Sequence, residues 1–260
     1  MVSKSGRPFR RGQLLVSCEH ASCQLPTRYG TLGLPRRALT SHIAWDPGAR
    51  EVAVYCARRL KRPLHAGRYS RLLIDLNRSP HHPKLIPKES FGVRVPYNIG
   101  ISRDERRARI RRYYEPYRRR VLREIEHVIG RHGSCVHLSV HSFTPRLGRQ
   151  LRRADIGILY DPRRPLESTL ARCLTQDLKE RGYHTRRNYP YRGTSDGFTT
   201  FCRRVFPASV YLGIEIEVSQ ARLQGSSQLA RTAQAVADCV DTVFRETYRP
   251  GLAGRPGTAS

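Results

Sequence analysis

Four short strand-like runs in this chain carry or end in residues that ionise. LLVSC (14–18) is followed by Glu19 and His20, RLLIDL (71–76) by Asn77 and Arg78, and CVHLSV (135–140) by His141, while VYLGIEIEV (210–218) contains Glu215 and Glu217. The chain is organised around the third of them, CVHLSVHSFTP (135–145), a buried-type strand that stops abruptly at His141. Near-continuous apolar strands are what a parallel sheet covered by helices requires, and ligands bind such sheets beyond the carboxyl ends of the strands. With the four ends along one edge, Glu19, His20, residues 75–78, His141, Glu215 and Glu217 can meet in one cleft. His20, Asp46 and His141 would make a three-ligand set for a zinc ion with an open position for water. Zinc lowers the pKa of that water to roughly 7 and polarises a carbonyl, and a nearby glutamate can serve as general base and proton shuttle. The chain has no HExxH helix, so such a site has to be assembled from separate strands.

Asn77 and Arg78 suit a carboxylate anchor, because the guanidinium fork grips a carboxylate bidentately. Glu215 and Glu217 share one face of their strand, and two carboxylates in an otherwise apolar strand need charged partners or a metal before they can be buried. The plainer alternatives are a strand-end histidine that only hydrogen-bonds a loop, and an edge strand whose glutamates pair with arginines.

The elements that would position these residues alternate between strand and helix, which indicates a single α/β domain with a doubly wound, mostly parallel sheet and helices on both faces. Asp46 and Pro47 suit the start of a helix over 47–60. A short strand at 63–65 follows, then the 71–76 strand, then a long Pro- and Gly-rich loop over 81–101 of the kind that binds or covers ligands. Ser102 and Glu105 form a capping box for one long helix to about 129, whose Ile110, Tyr113, Tyr117, Val121 and Ile125 make an apolar stripe. A strand at 155–160, a helix at 166–181, a short strand at 183–188, the loop YPYRGTSDG (189–197), the glutamate strand and a closing helix at 228–248 complete the series. Residues 1–12 read as a disordered basic leader and 250–260 as a flexible tail around a domain spanning 13–249.

Composition narrows the class. The 260 residues are 38% hydrophobic, and no apolar stretch approaches the ~20 residues of a membrane span. The basic N-terminus lacks the apolar core of a signal peptide, so a cytoplasmic location is expected. Seven scattered cysteines without a CxxC pair argue against a disulfide framework or a cysteine-rich zinc module. The net charge of +27 would attract nucleic acid, anionic surfaces or acidic small molecules. No recognised nucleic-acid module accompanies it, and arginines on solvated helix faces would give the same charge.

Together SCEHAS (17–22), HIAWDPGA (42–49), YSRLLIDLNR (69–78), HSFTP (141–145), YPYRGTSDG (189–197) and GIEIEVSQ (213–220) resemble the N-formylglutamate amidohydrolase family, from about residue 14 to 220. The resemblance implies kinship with zinc carboxypeptidases and aspartoacylase-like deacylases, a phosphorylase/hydrolase-like fold, and metal-dependent cleavage of an amide. It implies that His20 is the first metal-binding histidine and His141 the second. In the deacylase relatives the first histidine opens an HxxE motif; here Cys23 stands in the glutamate position, so Asp46 is the candidate replacement and Glu19 the second choice. Asn77 and Arg78, helped by Arg71, would bind the substrate carboxylate. Glu217 resembles the catalytic glutamate, with Glu215 the alternative in a register shifted by two. The expectation is a zinc amidohydrolase for a small acidic N-acyl amino acid such as N-formyl-glutamate. A peptide or cell-wall-fragment amidase and a basic nucleic-acid-binding protein on a degenerate hydrolase scaffold are the alternatives.

Overall fold

The computed structural model describes residues 13–246; the expected leader and tail lie outside the described residues. One six-stranded sheet contains β1 (Leu14–Cys18), β2 (Leu64–Ala66), β3 (Cys135–Phe143), β4 (Ile156–Leu159), β5 (Thr185–Arg187) and β6 (Tyr211–Ser219), in the order β2-β1-β3-β6-β4-β5. The first four strands of that order are mutually parallel, β4 runs antiparallel to β6, and β5 is parallel to β4. The expected mostly parallel α/β sheet is therefore present, with β4 and β5 reversed.

Side-chain alternation along β3 and β6 explains what each face does. Val136, Leu138 and Val140, with Leu212, Ile214, Ile216 and Val218, turn to one side and form a continuous core. That core is closed by α1 (Ala49–Leu60) and by two later helices at Pro165–Glu180 and Ser226–Glu246. The other side of the same strands carries His137, Ser139 and His141 beside Glu215 and Glu217, with Ser139 opposite Glu215 and His141 opposite Glu217. This polar column deepens into a second core built from Leu15, Cys135 and Tyr211 together with α3 (Glu115–His132) and irregular segments before it, while Arg109 of α2 (Arg103–Arg109) lies 4.7 Å over the Tyr29 ring of that core.

Three expectations need correction. Residues 71–76 are not a strand. Leu72, Leu73, Ile74 and Leu76 are buried, but their backbone is satisfied by turns and side chains: Leu73 donates to Ser70, Asp75 to Leu85, and the carbonyls of Leu72, Leu73 and Leu76 accept from Asn98, Arg109 and Arg118. An apolar run needs burial, and here a second core supplies it without a ladder. Next, the long helix is interrupted by a π-helical turn, Ile110–Tyr114, in which the Glu115 amide reaches the Ile110 carbonyl. Pro116 follows and has no amide to continue the regular pattern. Finally, α1 begins at Ala49 after Gly48 at φ +79°, so the Asp46 side chain is not its cap and is free to turn toward the sheet. A Cβ on Gly48 would lie 2.7 Å from Leu223.

Sequence reading also passed over two small hairpins, Glu89–Ser90 with Val93–Arg94 and Arg146–Leu147 with Gln150–Leu151, and a helix at Phe198–Val205. Numbered in chain order, Pro165–Glu180 is α4, Phe198–Val205 is α5 and Ser226–Glu246 is α6. Among the described residues no helix is long and apolar enough to cross a membrane.

A buried ion pair ties these parts together under the glutamate strand. Glu167 of α4 is fully buried and accepts from the amides of Asp161 and Gly213, each at 2.9 Å, and from Arg203 Nε at 3.1 Å. Arg203 of α5 in turn donates to the carbonyls of Gly193 and Gly213 at 2.6 and 2.8 Å. Removing one partner of such a pair leaves a buried uncompensated charge. Glu167→Ala should therefore lose about 3–5 kcal/mol of stability, read as a lower urea midpoint.

Candidate active site

The carboxyl ends of β1, β3 and β6 open into a cleft of about 630 Å³ lined by, among others, His20, Asp46, His141 and Glu217. The fourth wall comes from the 75–78 loop rather than from a strand. The ligand atoms of His20, Asp46 and His141 all lie within 4.8 Å of one another, and all three residues are buried. Asp46 Oδ2 is 2.8 Å from Nδ1 of His141 and 3.4 Å from Nδ1 of His20. Its other oxygen pairs with Arg71.

Each histidine is held from behind through its other nitrogen. Nε2 of His20 is 2.7 Å from Asp75 Oδ1, and Nε2 of His141 is 3.2 Å from Glu19 Oε2 and 3.0 Å from Ser139 Oγ. A carboxylate behind the imidazole sets its tautomer and orientation in metal sites, and here it leaves both Nδ1 atoms for the cleft. Glu19 thus stands behind His141, and Asp46 is the carboxylate that joins the histidine pair. Glu19 is itself enclosed: Ser139 Oγ donates to it at 2.5 Å and the Tyr117 hydroxyl at 2.7 Å.

The family model described as N-formylglutamate amidohydrolase matches residues 12–223. The chain belongs to the N-formylglutamate amidohydrolase family. Membership makes it an amidohydrolase. The crystal structure of a gene product from Agrobacterium tumefaciens is similar at 32% identity and a TM-score of 0.81, over 91% of this chain and 92% of that one. An N-formylglutamate amidohydrolase from Ralstonia eutropha shares the fold at 20% identity and a TM-score of 0.72, over 90% and 92% of the two chains. No curated protein matches.

In this amidohydrolase the residues singled out by sequence occupy distinct places. Glu217 lies opposite His141 on β6 and faces the cleft; its Oε2 is buried and has no hydrogen-bond partner. Glu215 also lines the cleft, one step deeper, and accepts from Thr199 at the start of α5. Neither glutamate is on an edge strand, since β6 is paired on both sides. Arg71 contacts Asp46. Asn77 Oδ1 accepts from the Phe198 amide at 2.7 Å, and Arg78 Nη1 donates to the Asp196 carbonyl at 2.8 Å; both line the cleft. The sequence placed Asp75 at the cleft with residues 75–78 but gave it no role, and it did not single out Ser139, Tyr117 or Thr199. Asp75 was visible as the one acid in a buried run, whereas Tyr117 was concealed in the apolar stripe of its helix. Of the cysteines near the site, Cys18 is buried and its thiol is pushed well up by that burial and by the charge of Glu19, so it is no nucleophile.

The charges are steeply arranged. Burial opposes ionisation of Glu19, yet the hydrogen bond and charge of His141 hold its carboxyl well below the usual carboxylate range. Asp75 is likewise held low, against burial, by His20, Arg71 and Arg78. Burial and then the Arg71 charge bring His20 down to about 4. Burial also disfavours a charged His141, but Glu19, Glu217 and Glu215 raise it to about 9. Burial pushes Glu217 up to about 7, with His141 opposing and Glu215 adding to the rise. Two imidazole nitrogens and one carboxylate oxygen converging among further acids form a donor set that suits a borderline divalent cation.

Tyr117 is the donor to Glu19 that comes from outside the sheet, so Tyr117→Phe tests how tightly this backing is built. It should lower stability by about 1–3 kcal/mol, the usual cost of a buried acceptor left without its donor, measured by urea denaturation against wild type.

Proposed function

We propose that this amidohydrolase is a zinc enzyme that hydrolyses the amide of an N-acyl amino acid carrying a free carboxylate, N-formyl-glutamate being the leading substrate. The observation that carries the reading is the pair of histidines presenting Nδ1 to Asp46, each backed at Nε2 by a carboxylate. His20, Asp46 and His141 would hold the ion, and membership of the N-formylglutamate amidohydrolase family supports N-formyl-glutamate as the substrate. Bound zinc supplies a Lewis acid that polarises the carbonyl and acidifies water at neutral pH.

The rest of the work falls to the chain. Glu217, whose Oε2 has no hydrogen-bond partner among the described residues, takes a proton from the attacking water. As the carbon–nitrogen bond breaks, it passes that proton to the leaving nitrogen, releasing the acyl group as an acid and the amino acid as a free amine. Its carboxyl, raised to about 7, suits both halves of that transfer at neutral pH. Arg78 and Asn77, with Arg71 beside them, orient the substrate carboxylate at the cleft wall. Glu215, bonded by Thr199, keeps the deeper end of the polar column ordered.

Elemental analysis of purified protein should find about one zinc per chain. His141→Ala should lose it, and Asp75→Asn should weaken it by about 10- to 100-fold; a His141→Ala protein that keeps full zinc contradicts the ligand set. Glu217→Gln should lower formate release by about 10²- to 10⁴-fold, the usual share of a general base, while zinc content and melting temperature stay near wild type. Glu215→Gln should affect stability or metal affinity more than the chemical step. An active, zinc-loaded Glu217→Gln enzyme would remove the general-base role.

A further inference from the structure

One buried arginine of the cleft has, among the described residues, no carboxylate to answer it. Arg152 follows the hairpin at 146–151, is 6% exposed and lines the cleft with Glu217. Its amide is pinned to the Pro145 carbonyl at 2.8 Å, which holds the base of the side chain. Its Nη1 donates to the Tyr191 hydroxyl at 3.1 Å, and the guanidinium stands 5.0 Å from the centre of that ring. Among the described residues no acid pairs with it at ion-pair distance. Arg71, half-buried in the same wall, differs, since it pairs with Asp46. Arg78, half-buried, donates to the Asp196 carbonyl and stands 3.9 Å from Asp75.

A guanidinium so nearly buried, with a neutral phenol as its only side-chain partner, carries a large desolvation cost unless an anion joins it. The phenol ring and hydroxyl fix its orientation without neutralising it, which leaves the fork free to take a carboxylate bidentately. Arg152 and Glu217 line the same cleft, so an anion held by Arg152 would lie within the site.

We propose that Arg152, oriented by Tyr191, is the specificity-determining residue of this cleft: it binds the second carboxylate of the substrate and sets the preference over an uncharged analogue. The proposal rests on the amidohydrolase reading above. Arg78 and Asn77 take one carboxylate and Arg152 the other. A neutral side chain of the same size would leave Arg152 buried without a counter-charge, and sites built to hold a polar group discriminate strongly against analogues lacking it.

The test compares N-formyl-L-glutamate with N-formyl-L-glutamine, which differ in that one charge, by formate release. Wild type should prefer the glutamate derivative by about 10- to 1000-fold in kcat/KM. Arg152→Gln should lower kcat/KM for the glutamate derivative far more than for the glutamine derivative, bringing the ratio within about threefold of unity. Tyr191→Phe should reduce the ratio by a smaller factor, and it carries the same test should Arg152→Gln not fold. Equal losses on both substrates, or an unchanged ratio, overturn the subsite. Calorimetric titration with L-glutamate and L-glutamine separates the two readings. If wild type hydrolyses neither substrate but binds glutamate with a preference that Arg152→Gln removes, the subsite stands and the catalytic reading falls. If both substrates are hydrolysed without preference, the subsite falls and the amidohydrolase reading stands. Glutamate binding that does not depend on Arg152 also overturns it.

Discussion

Asp46 sits between two imidazoles that are themselves gripped from behind, so the site is one buried chain of alternating acids and histidines: Asp75, His20, Asp46, His141 and Glu19. Tyr117 and Ser139 close it at the Glu19 end. No link of this chain is tolerable alone, because a buried charge without a partner costs several kcal/mol. The fold has therefore to deliver all of them. The turn after β1 brings Glu19 and His20, β3 brings Ser139 and His141, α3 brings Tyr117, the irregular run 71–76 brings Asp75, and the turn before α1 brings Asp46.

That requirement accounts for the unequal faces of the sheet. One side of β3 and β6 is purely apolar and closed by α1, α4 and α6. The other side is a polar column that no flat helix face could cover without stranding its groups. His137 shows the pattern at its inner end, bonded to Ser17 at 2.7 Å and Tyr211 at 2.9 Å. Toward the cleft the same column passes to Glu215 and then Glu217, whose free oxygen marks the point where internal satisfaction stops and chemistry can begin.

Several of the arginines serve this arrangement from within. The irregular segments that replace a strand at 71–76 take their hydrogen bonds from arginines: Arg109 bonds Leu73 and Asn98, Arg118 bonds Leu76, and Arg106 bonds Pro80. The Arg118 guanidinium also lies 3.9 Å from the centre of the Phe198 ring and 4.4 Å from that of Phe201, so its charge is stabilised against aromatic faces. Arg164 and Arg203 do the same for the segment around α5. Arginine suits these places because its several donors can satisfy carbonyls that no neighbouring strand reaches.

Periodicity and composition in the sequence determined the α/β class, the central strands at 14–18, 135–140 and 210–218, and the helices that cover them, because apolar spacing reports directly which side of an element is buried; that the second of these runs on through His141 to Phe143 was decided by its pairing with β6. The motif residues His20, Asp46, His141, Glu215 and Glu217 were legible for a related reason: each is an ionisable group beside or within a run that must be buried. Tertiary structure alone decided the rest. Residues 71–76 look identical to a strand in pattern, but whether an apolar run pairs as a ladder or packs as a loop depends on partners such as Asn98, Arg109 and Arg118, which are 26, 36 and 42 positions away from the carbonyls they bond. The choice between Asp46 and Glu19 beside the histidines, the backing of His20 by Asp75, and the lone cationic fork of Arg152 are equally three-dimensional. Local pattern tells that a charge is buried; only the folded chain decides which group stands opposite it, because hydrogen bonds and ion pairs are set by distance and angle between segments remote in sequence.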